Sequence, residues 1–220
     1  SLSSPKRETR AVWLTTFSSL DWPQNKADSP AGIKAQQDEL CHILDRLKEV
    51  NINTVLLQTR VRGSVIYPSA IEPWDGCLTG TPGRAPGYDP LAFAIRECHK
   101  RGMELHAWLV AIPCFKASAA TRMGKRSVLK THPKLCVRHG DSWYLDPGQP
   151  ETADYLASLC REIATNYDVD GIHFDYIRYP ENAAKFNDAA SYRKYGKRQN
   201  KADWRRSNMT RCVRAMYRTV

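Results

Sequence analysis

The sequence predicts an α/β fold in which a parallel sheet is built from alternating strands and helices. Four short apolar runs, rich in branched and aromatic residues, have the composition of strands that are buried on both faces. Helical apolar patterns lie between these runs, and this alternation requires parallel pairing with right-handed crossovers. The helix-to-strand junctions are short and the strand-to-helix connections are long, which is typical of folds that build their sites on the loops after the strands.

The turn residues of the sequence are concentrated in the connections after the strands. The first three are followed by long connections that contain most of the turn residues and many of the aromatic side chains. We therefore expect functional groups to gather at the carboxyl ends of the strands. The four predicted strands are Ala11–Phe17, Thr54–Thr59, Glu104–Ile112 and Gly171–Ile177.

Helices are indicated by apolar residues at helical spacing and by capping residues. Leu40, Leu44 and Leu47 recur at i, i+4 and i+7, which places them on one face of the first helix. The second helix is introduced by Asp89 and Pro90, an N-cap followed by proline at the first helical position. The remaining helical patterns cover residues 151–167 and 193–218.

The order of elements favours a TIM-type barrel over a doubly wound nucleotide-binding sheet. The nucleotide-binding fold places a glycine-rich turn directly after a strand, whereas the glycines of residues 76–87 lie far past their strand. Only the first four β/α units of a barrel can be identified. We expect a disordered lead at residues 1–9 and a truncated barrel domain at residues 10–220. Its open sheet edge would allow copies of the chain to self-associate.

The net charge of +10 is concentrated in one segment of the chain. Residues 193–218 contain ten lysines or arginines and one acid, and the rest of the sequence is nearly balanced. A solvated basic face is the simpler interpretation, and an anion-binding or partner-binding face is the alternative. A nucleic-acid-binding protein would also show a recognition motif, and none is present. The sequence therefore predicts no nucleic-acid partner.

The chemistry is predicted at the end of the fourth strand, in the run DVDGIHFDYIRYP. Side chains alternate along a strand, so His173 and Asp175 share one face. A carboxylate on a buried strand is costly unless it is paired or used. An ion pair with Arg178 is the structural explanation for Asp175. The functional explanation is a carboxylate at the barrel mouth that acts as a nucleophile or base.

Several motifs together resemble a bacterial glycosyl-hydrolase-like family, which includes the division-site peptidoglycan glycosidase and related lipoproteins. They are RAVWLTTF, LLQTRVRG, YPSAIEPW, PGYDPLAFAI, ELHAWL, WYLDPGQPE and DGIHFDYIRYP, in this order along residues 10–180. The resemblance implies a TIM-type barrel and hydrolysis of a bacterial cell-wall glycan, with peptidoglycan as the expected substrate. It also implies an extracytoplasmic protein, periplasmic or anchored to the outer membrane as a lipoprotein. Full activity would need residues beyond 220.

Glycosidases use a pair of carboxylates, one protonated and one ionised. We assign the ionised role to Asp175 and the acid role to Glu72, because the apolar neighbours Ile71, Pro73 and Trp74 would favour a protonated carboxyl group. The alternative for Glu72 is an exposed loop residue without a catalytic role. The alternative function for the whole domain is a non-catalytic glycan-binding module.

Substrate-binding residues are expected among the aromatic and polar groups that follow the strands, because aromatic faces stack on sugar rings. Each aromatic residue taken alone is more often a packing residue, so the prediction depends on their clustering. Asp146, in an Asp-Pro-Gly sequence, is interpreted first as a turn residue, and the family resemblance adds a secondary binding role. The predicted set is Asp21, Trp22, Gln58, Arg60, Tyr67, Trp74, His106, Trp108, His173, Tyr176, Arg178 and Tyr179, and Arg62 belongs to the same group of polar side chains.

No metal or cofactor is predicted. The seven cysteines form neither a CxxC pair nor a zinc-type spacing, and their odd number argues against a complete disulfide framework. His106 and His173 lie on two different predicted strands, and no third ligand accompanies them in the sequence.

Overall fold

The computed structural model describes residues 8–220, so most of the predicted lead at residues 1–9 lies outside the described residues. Within this range the chain forms a four-stranded sheet and a three-stranded sheet. The larger sheet has the order β1-β2-β3-β7, and all its neighbouring strands are parallel. The strands are β1 (Ala11–Leu14), β2 (Thr54–Arg60), β3 (Glu104–Val110), β4 (Pro113–Lys116), β5 (Cys136–His139), β6 (Ser142–Leu145) and β7 (Gly171–Asp175).

All four predicted strands are present in the parallel sheet, and three of them end earlier than predicted. In the fourth, the strand ends at Asp175 because Tyr176 adopts a left-handed backbone conformation with φ of 53°. This conformation is uncommon for a residue with a side chain, and it stops the extended run. The turn that it makes directs the following residues across the end of the sheet.

Helices connect the parallel strands, as predicted. The side chains of Ser29 and Asp89 accept hydrogen bonds from the backbone N–H groups of Gly32 and Ala92, which caps the first two helices. The six helices are α1 (Pro30–Glu49), α2 (Pro90–Lys100), α3 (Val128–Thr131), α4 (Pro150–Asn166), α5 (Ala189–Tyr195) and α6 (Lys201–Tyr217). Among the described residues, no helix has both the length and the apolar character needed to cross a membrane.

The basic segment is divided into two helices, and the prediction of one helical segment is wrong. The chain leaves α5 at Gly196 and enters α6 at Asn200, whose side chain caps the new helix. The apolar stripe expected from its sequence is formed in part: Cys212 and Met216 are fully buried, whereas Val220 is exposed. Most of the cationic residues of the segment therefore lie on α6 or at its C-terminal end, and the others lie on α5 or between the two helices.

The long connection between β3 and α4 contains the three-stranded antiparallel sheet, which the sequence did not predict. Its order is β4-β6-β5, and β5 and β6 form a hairpin. The hairpin is joined to the parallel sheet by a hydrogen bond from the backbone N–H of Leu145 to the carbonyl of Ile112. This small sheet places additional side chains beside the carboxyl ends of the parallel strands.

The two faces of the parallel sheet have different surroundings. The outer face carries Val55, Leu57 and Leu105, which belong to the main hydrophobic core together with residues of α1, α2 and α4. We call the opposite surface the inner face. It carries a separate apolar cluster and several polar groups, and its edge is exposed at Trp13, which is 50% accessible. The residues of the inner face used below are Trp13, Leu56, His106, Trp108, Val110, His173 and Asp175.

Helix α6 packs against the turn that precedes α4, and Gly148 is required for this contact. A Cβ atom on Gly148 would lie 2.6 Å from Cη2 and 2.8 Å from Cζ2 of the fully buried Trp204 indole. We expect Gly148→Ala to lower the free energy of unfolding by about 1–3 kcal/mol, because overpacking forces side chains or backbone to move. Urea denaturation measures the change. Trp204→Phe combined with Gly148→Ala should cost less than the sum of the single changes, and strict additivity would contradict this explanation.

Candidate active site at the carboxyl ends of the strands

A cavity of about 410 Å³ lies where the loop after β7 meets the β5–β6 hairpin and the loop after β2. Tyr176, Arg178 and Tyr179 line it, and all three were predicted to bind substrate. The antiparallel sheet supplies three further lining residues, His139, Asp141 and Tyr144. Tyr144 is one of the loop aromatics expected to stack on sugar rings, whereas His139 and Asp141 were not singled out from the sequence. The cavity is therefore shared between the predicted strand end and an element that was not predicted.

Asp175 is the last residue of β7 and directly precedes Tyr176 of the cavity wall, but it is not itself among the residues that line the cavity. Its backbone carbonyl accepts a hydrogen bond of 2.9 Å from the N–H of Ala111, and its Oδ1 accepts one of 2.8 Å from the N–H of Tyr176. Arg178 stacks over the Tyr176 ring at 4.8 Å. Across residues 8–220 we find no salt bridge to Asp175, so the ion pair with Arg178, the structural alternative for this carboxylate, is absent. The carboxylate is half-buried.

Three further predicted residues, His106, Trp108 and His173, lie on the inner face. His173 is two residues before Asp175 on the same strand, and Trp108 and His106 lie on the neighbouring strand β3. Trp108 is in register with His173, as Val110 is with Asp175. The ring nitrogens of His106 and His173 are 2.9 Å apart, and Trp13 packs edge-on against both Trp108 and His173. Burial, together with the neighbouring His106, lowers the pKa of His173 below its usual value. The structure therefore brings His106, Trp108 and His173 together beneath Asp175.

Two details of this inner-face group bear on what it can bind. The indole N–H of Trp108 is buried and has no hydrogen-bond acceptor among the described residues. A buried donor without an acceptor is unusual and marks a place where another group can accept a hydrogen bond. The two histidines are not joined, in the part of the chain that the structure describes, by a third side chain that would complete a metal-binding group.

Glu72 lies in an environment different from the apolar one predicted. Both Glu72 and Arg60 are fully buried, and they form a bidentate ion pair with distances of 2.7 Å and 2.9 Å. The hydroxyl of Tyr155 on α4 donates a third hydrogen bond of 2.7 Å to the carboxylate. Burial opposes the charge on Arg60, but the contact with Glu72 outweighs it and raises the pKa of Arg60 further. The prediction of an apolar environment is wrong, and the geometry favours a structural role for Glu72.

The arginine of this ion pair also contacts the backbone at the end of β3, next to Asp175. Nη1 of Arg60 donates hydrogen bonds of 2.6 Å and 2.8 Å to the carbonyl oxygens of Val110 and Ala111, and Ala111 in turn donates to Asp175. Arg60 is thus a positioning residue for the ends of β3 and β7, and it has no exposed surface for substrate. Its predicted role in binding substrate is replaced by this structural one.

Five other predicted binding residues hold the framework together. The Trp22 and Tyr67 rings are fully buried and Trp74 is nearly so, so they belong to the hydrophobic core instead of a sugar-binding surface. The amide oxygen of Gln58 accepts the backbone N–H groups of Thr16 and Phe17, and Asp21 accepts that of Thr15. Gln58 and Asp21 therefore shape the loop after β1. The sequence pattern could not show that these loops fold inward.

Asp146 is a turn residue, which was the first interpretation of its Asp-Pro-Gly sequence. Its Oδ1 accepts the N–H of Gly148 at 2.9 Å, and Ser191 on α5 donates to its other carboxylate oxygen at 2.5 Å. Burial raises the pKa of Asp146 above its usual value. The residue is nearly inaccessible, so the structure gives no support to a secondary binding role.

Comparison with known proteins shows which family the chain resembles. The model of the family described as glycosyl hydrolase-like 10 matches residues 8–220. Glycosyl hydrolase DigH of Escherichia coli (strain K12) is 38% identical over 229 residues, which cover 96% of this chain and 52% of DigH. Glycosyl hydrolase YngK of Bacillus subtilis (strain 168) is 36% identical over 219 residues, which cover 97% of this chain and 42% of YngK. The chain thus spans about half the length of the curated relatives it matches.

Solved structures share the fold at low sequence identity. The α-L-fucosidase isoenzyme 2 from Paenibacillus thiaminolyticus aligns with a TM-score of 0.56 at 12% identity, covering 97% of this chain and 29% of that enzyme. The chitobiase of Flavobacterium johnsoniae aligns with a TM-score of 0.56 at 13% identity, covering 98% of this chain and 30% of that enzyme. Such glycosidases are TIM barrels, and the likeness supports an α/β fold with a parallel sheet.

Proposed function

Because the chain belongs to the glycosyl hydrolase-like 10 family, we propose that it hydrolyses a bacterial cell-wall glycan and that peptidoglycan is its substrate. Asp175 supports the proposal most directly. It is a half-buried carboxylate without a cationic partner among residues 8–220, and it stands at the carboxyl end of a parallel strand. Catalytic groups in α/β barrels occupy this position. The relatives named above carry the name glycosyl hydrolase, which agrees with this chemistry.

In this mechanism Asp175 acts as the ionised carboxylate, either as a nucleophile at the sugar carbon or as a base toward water. The second carboxylate has to stand near the bond that is cleaved and has to carry a proton. Glu72 is a poor candidate because it is fully buried in a bidentate contact with Arg60. Asp141 and Glu181 line the cavity, so their position makes them the better candidates within the described residues.

Sugar binding is assigned to the aromatic and polar groups around Asp175. Tyr176 is 42% accessible and lies in the cavity wall with Tyr144 and Tyr179, where ring faces can pack on a pyranose. The free indole N–H of Trp108 and the pair His106–His173 would donate or accept hydrogen bonds with sugar oxygens on the inner face.

We also propose that the four parallel strands form the first half of a TIM-type barrel. The open inner face, with Trp13 half exposed, is the surface that the later strands would cover. Self-association through the free edges of β1 and β7 stays a prediction, as does the need for residues beyond 220 for full activity. Placement outside the cytoplasm, as a periplasmic protein or an outer-membrane lipoprotein, is likewise a proposal, and it follows from the family resemblance.

The proposal is tested by incubating the chain with purified peptidoglycan, with glycan strands freed of stem peptides, and with chitin oligosaccharides. We expect new reducing ends from the peptidoglycan-derived substrates, measured by reductive labelling and mass spectrometry. Release from none of them, with binding retained in a sedimentation assay, would instead support the non-catalytic glycan-binding module. Loss of both binding and release would contradict the assignment to glycans altogether.

A further inference from the structure

The turn between α5 and α6 carries a concentration of positive charge that the proposed hydrolysis does not use. Residues 189–200 contain four cations and no Asp or Glu. All four cations are exposed, and Tyr195, which lies between them in the sequence, is 42% accessible. None of these residues is among the described residues that line the cavity with Tyr176. We call this surface the basic patch, and it consists of Arg193, Lys194, Tyr195, Lys197 and Arg198.

The cations of the basic patch have no acidic partner among residues 8–220. The two acids closest to the patch in the sequence are engaged elsewhere. Asp188 is buried and contacts Arg205 at 2.9 Å and Lys201 at 3.2 Å. Asp203 pairs with Arg206 on its own helix. The charge of the patch is therefore not neutralised within the described chain.

The helix that carries the patch is anchored to the fold through its other side chains. The hydroxyl of Ser191 donates to the buried Asp146 at 2.5 Å. The ring of Tyr192 packs on the indole of Trp204 with 5.1 Å between the ring centres, and its hydroxyl donates to the carbonyl of Gln199 at 2.7 Å. These contacts fix both α5 and the turn after it. Because the backbone is already ordered, little conformational entropy is lost when the cations meet a partner.

A recess of about 620 Å³ adjoins the patch. Three of its lining residues, Arg193, Lys194 and Lys197, are cations of the patch, and Ala190 and Tyr192 complete the lining. All of them belong to α5 or to the turn after it, so the recess does not continue across the molecule as a groove. A short cationic recess suits the phosphate of a headgroup better than it suits a long polymer.

The basic patch combines two features that favour a membrane surface. Clusters of lysine and arginine are attracted to anionic phospholipids. Tyrosine is enriched at the level of the headgroups, because its ring is apolar and its hydroxyl remains hydrated. Tyr195 lies among the cations, and the ammonium of Lys194 is 5.3 Å from the centre of its ring. A nucleic-acid partner is less well supported, because the sequence contains no recognition motif for one.

We propose that the basic patch binds the surface of a bilayer that contains anionic phospholipids, with Tyr195 at the level of the headgroups. The four cations supply the attraction, and the recess receives a lipid phosphate. The contact goes beyond the proposed hydrolysis and does not depend on it. It holds the domain at a membrane through its own side chains, without a lipid anchor.

The test is sedimentation of the chain with vesicles of phosphatidylcholine alone and of phosphatidylcholine mixed with phosphatidylglycerol. We expect binding to the mixed vesicles only, with half of the protein bound at about a millimolar lipid, because each cation near an anionic surface contributes about 1 kcal/mol. Lys194→Gln combined with Lys197→Gln should weaken this binding about 30-fold. Raising the ionic strength should weaken it as well, because salt screens exposed charges.

A matched control removes two lysines from another surface. Lys130 and Lys134 are exposed and lie in the connection between β4 and β5. Lys130→Gln combined with Lys134→Gln makes the same change in net charge and should leave vesicle binding unaltered. Both double variants replace exposed side chains, so urea denaturation should show the stability of the wild type. An equal loss of binding in the two double variants would overturn the proposal, because the effect would come from the net charge of the chain.

Tyr195→Ala separates a bilayer from a soluble polyanion. It should weaken binding to the mixed vesicles and leave binding to inorganic polyphosphate unchanged, because only a bilayer offers the ring an apolar surface. Equal binding to the two kinds of vesicle, or no binding to either, would overturn the proposal. Tighter binding of polyphosphate or of a DNA oligonucleotide than of the mixed vesicles, at equal phosphate concentration, would also overturn it. Binding to the mixed vesicles by a chain that hydrolyses no glycan would support it and would count only against the proposed hydrolysis.

Discussion

Asp175→Asn is expected to lower kcat/KM for glycan hydrolysis by about 10²–10⁴-fold, the range typical for loss of a positioned acid–base group. The side-chain oxygen of asparagine can still accept the N–H of Tyr176, so the turn after β7 should persist. The carboxylate has no cationic partner among the described residues, and its replacement should change the free energy of unfolding by less than about 0.5 kcal/mol. Reducing-end assays and urea denaturation on the same preparation measure both quantities.

Asp168, which lies before the start of β7, provides a matched control for Asp175. Asp168 is exposed and precedes β7, far from the cavity. Asp168→Asn changes the same functional group and should leave hydrolysis and stability unaltered. If Asp175→Asn keeps the activity of the wild type, Asp175 has no catalytic role. If both variants lose activity equally, the effect comes from the charge of the chain and not from the site.

Glu72→Ala is expected to destabilise the fold by about 3–5 kcal/mol, because it leaves the charge of Arg60 buried without a partner. The loss would appear as a shift of the urea midpoint with an unchanged denaturant dependence. Tyr155→Phe removes only one hydrogen bond to the same carboxylate and should cost about 1 kcal/mol. A small effect of Glu72→Ala, under about 1 kcal/mol, would show that the ion pair is not structural.

The controls separate the structural role of Glu72 from the catalytic one first predicted for it. Glu49→Ala, at the exposed end of α1, removes a carboxylate from the surface and should change stability little. The double replacement Arg60→Met with Glu72→Leu removes both charges and should recover part of the stability lost in Glu72→Ala. Loss of activity in Glu72→Gln with full stability would favour the catalytic role instead.

The parallel sheet and its helices could be predicted from sequence because their signals are local and repeated. Each strand is an apolar run, and the caps Ser29 and Asp89 lie at the starts of the first two helices. The alternation along β7 correctly placed His173 and Asp175 on one face and Ile172 in the core. Asp175 stood out because a carboxylate interrupts an otherwise apolar strand, and such a signal needs no knowledge of distant contacts.

Contacts between distant parts of the chain could not be predicted in this way. No local pattern pairs Arg60 with Glu72, because the loop that joins them has to fold back toward its own strand. The antiparallel sheet was missed because its strands are only four residues long and carry charged or polar residues. Trp22 and Tyr67 were taken for surface aromatics because they follow strands, whereas their loops pack into the core.

The parallel pairing described above also determines how this chain can reach its native state. Ala11 pairs with Thr54, Thr54 with Glu104, and His106 with Gly171. Each of β1, β2 and β3 therefore pairs with a strand that is synthesised much later. Contacts between residues that are far apart in the sequence slow folding. The chain loses conformational entropy when it closes the long loop between two strands, before the strand pairing compensates for that loss. We expect the chain to refold slowly compared with other domains of this size. Apolar strands would stay unpaired during synthesis, and chaperones that bind them should raise the yield.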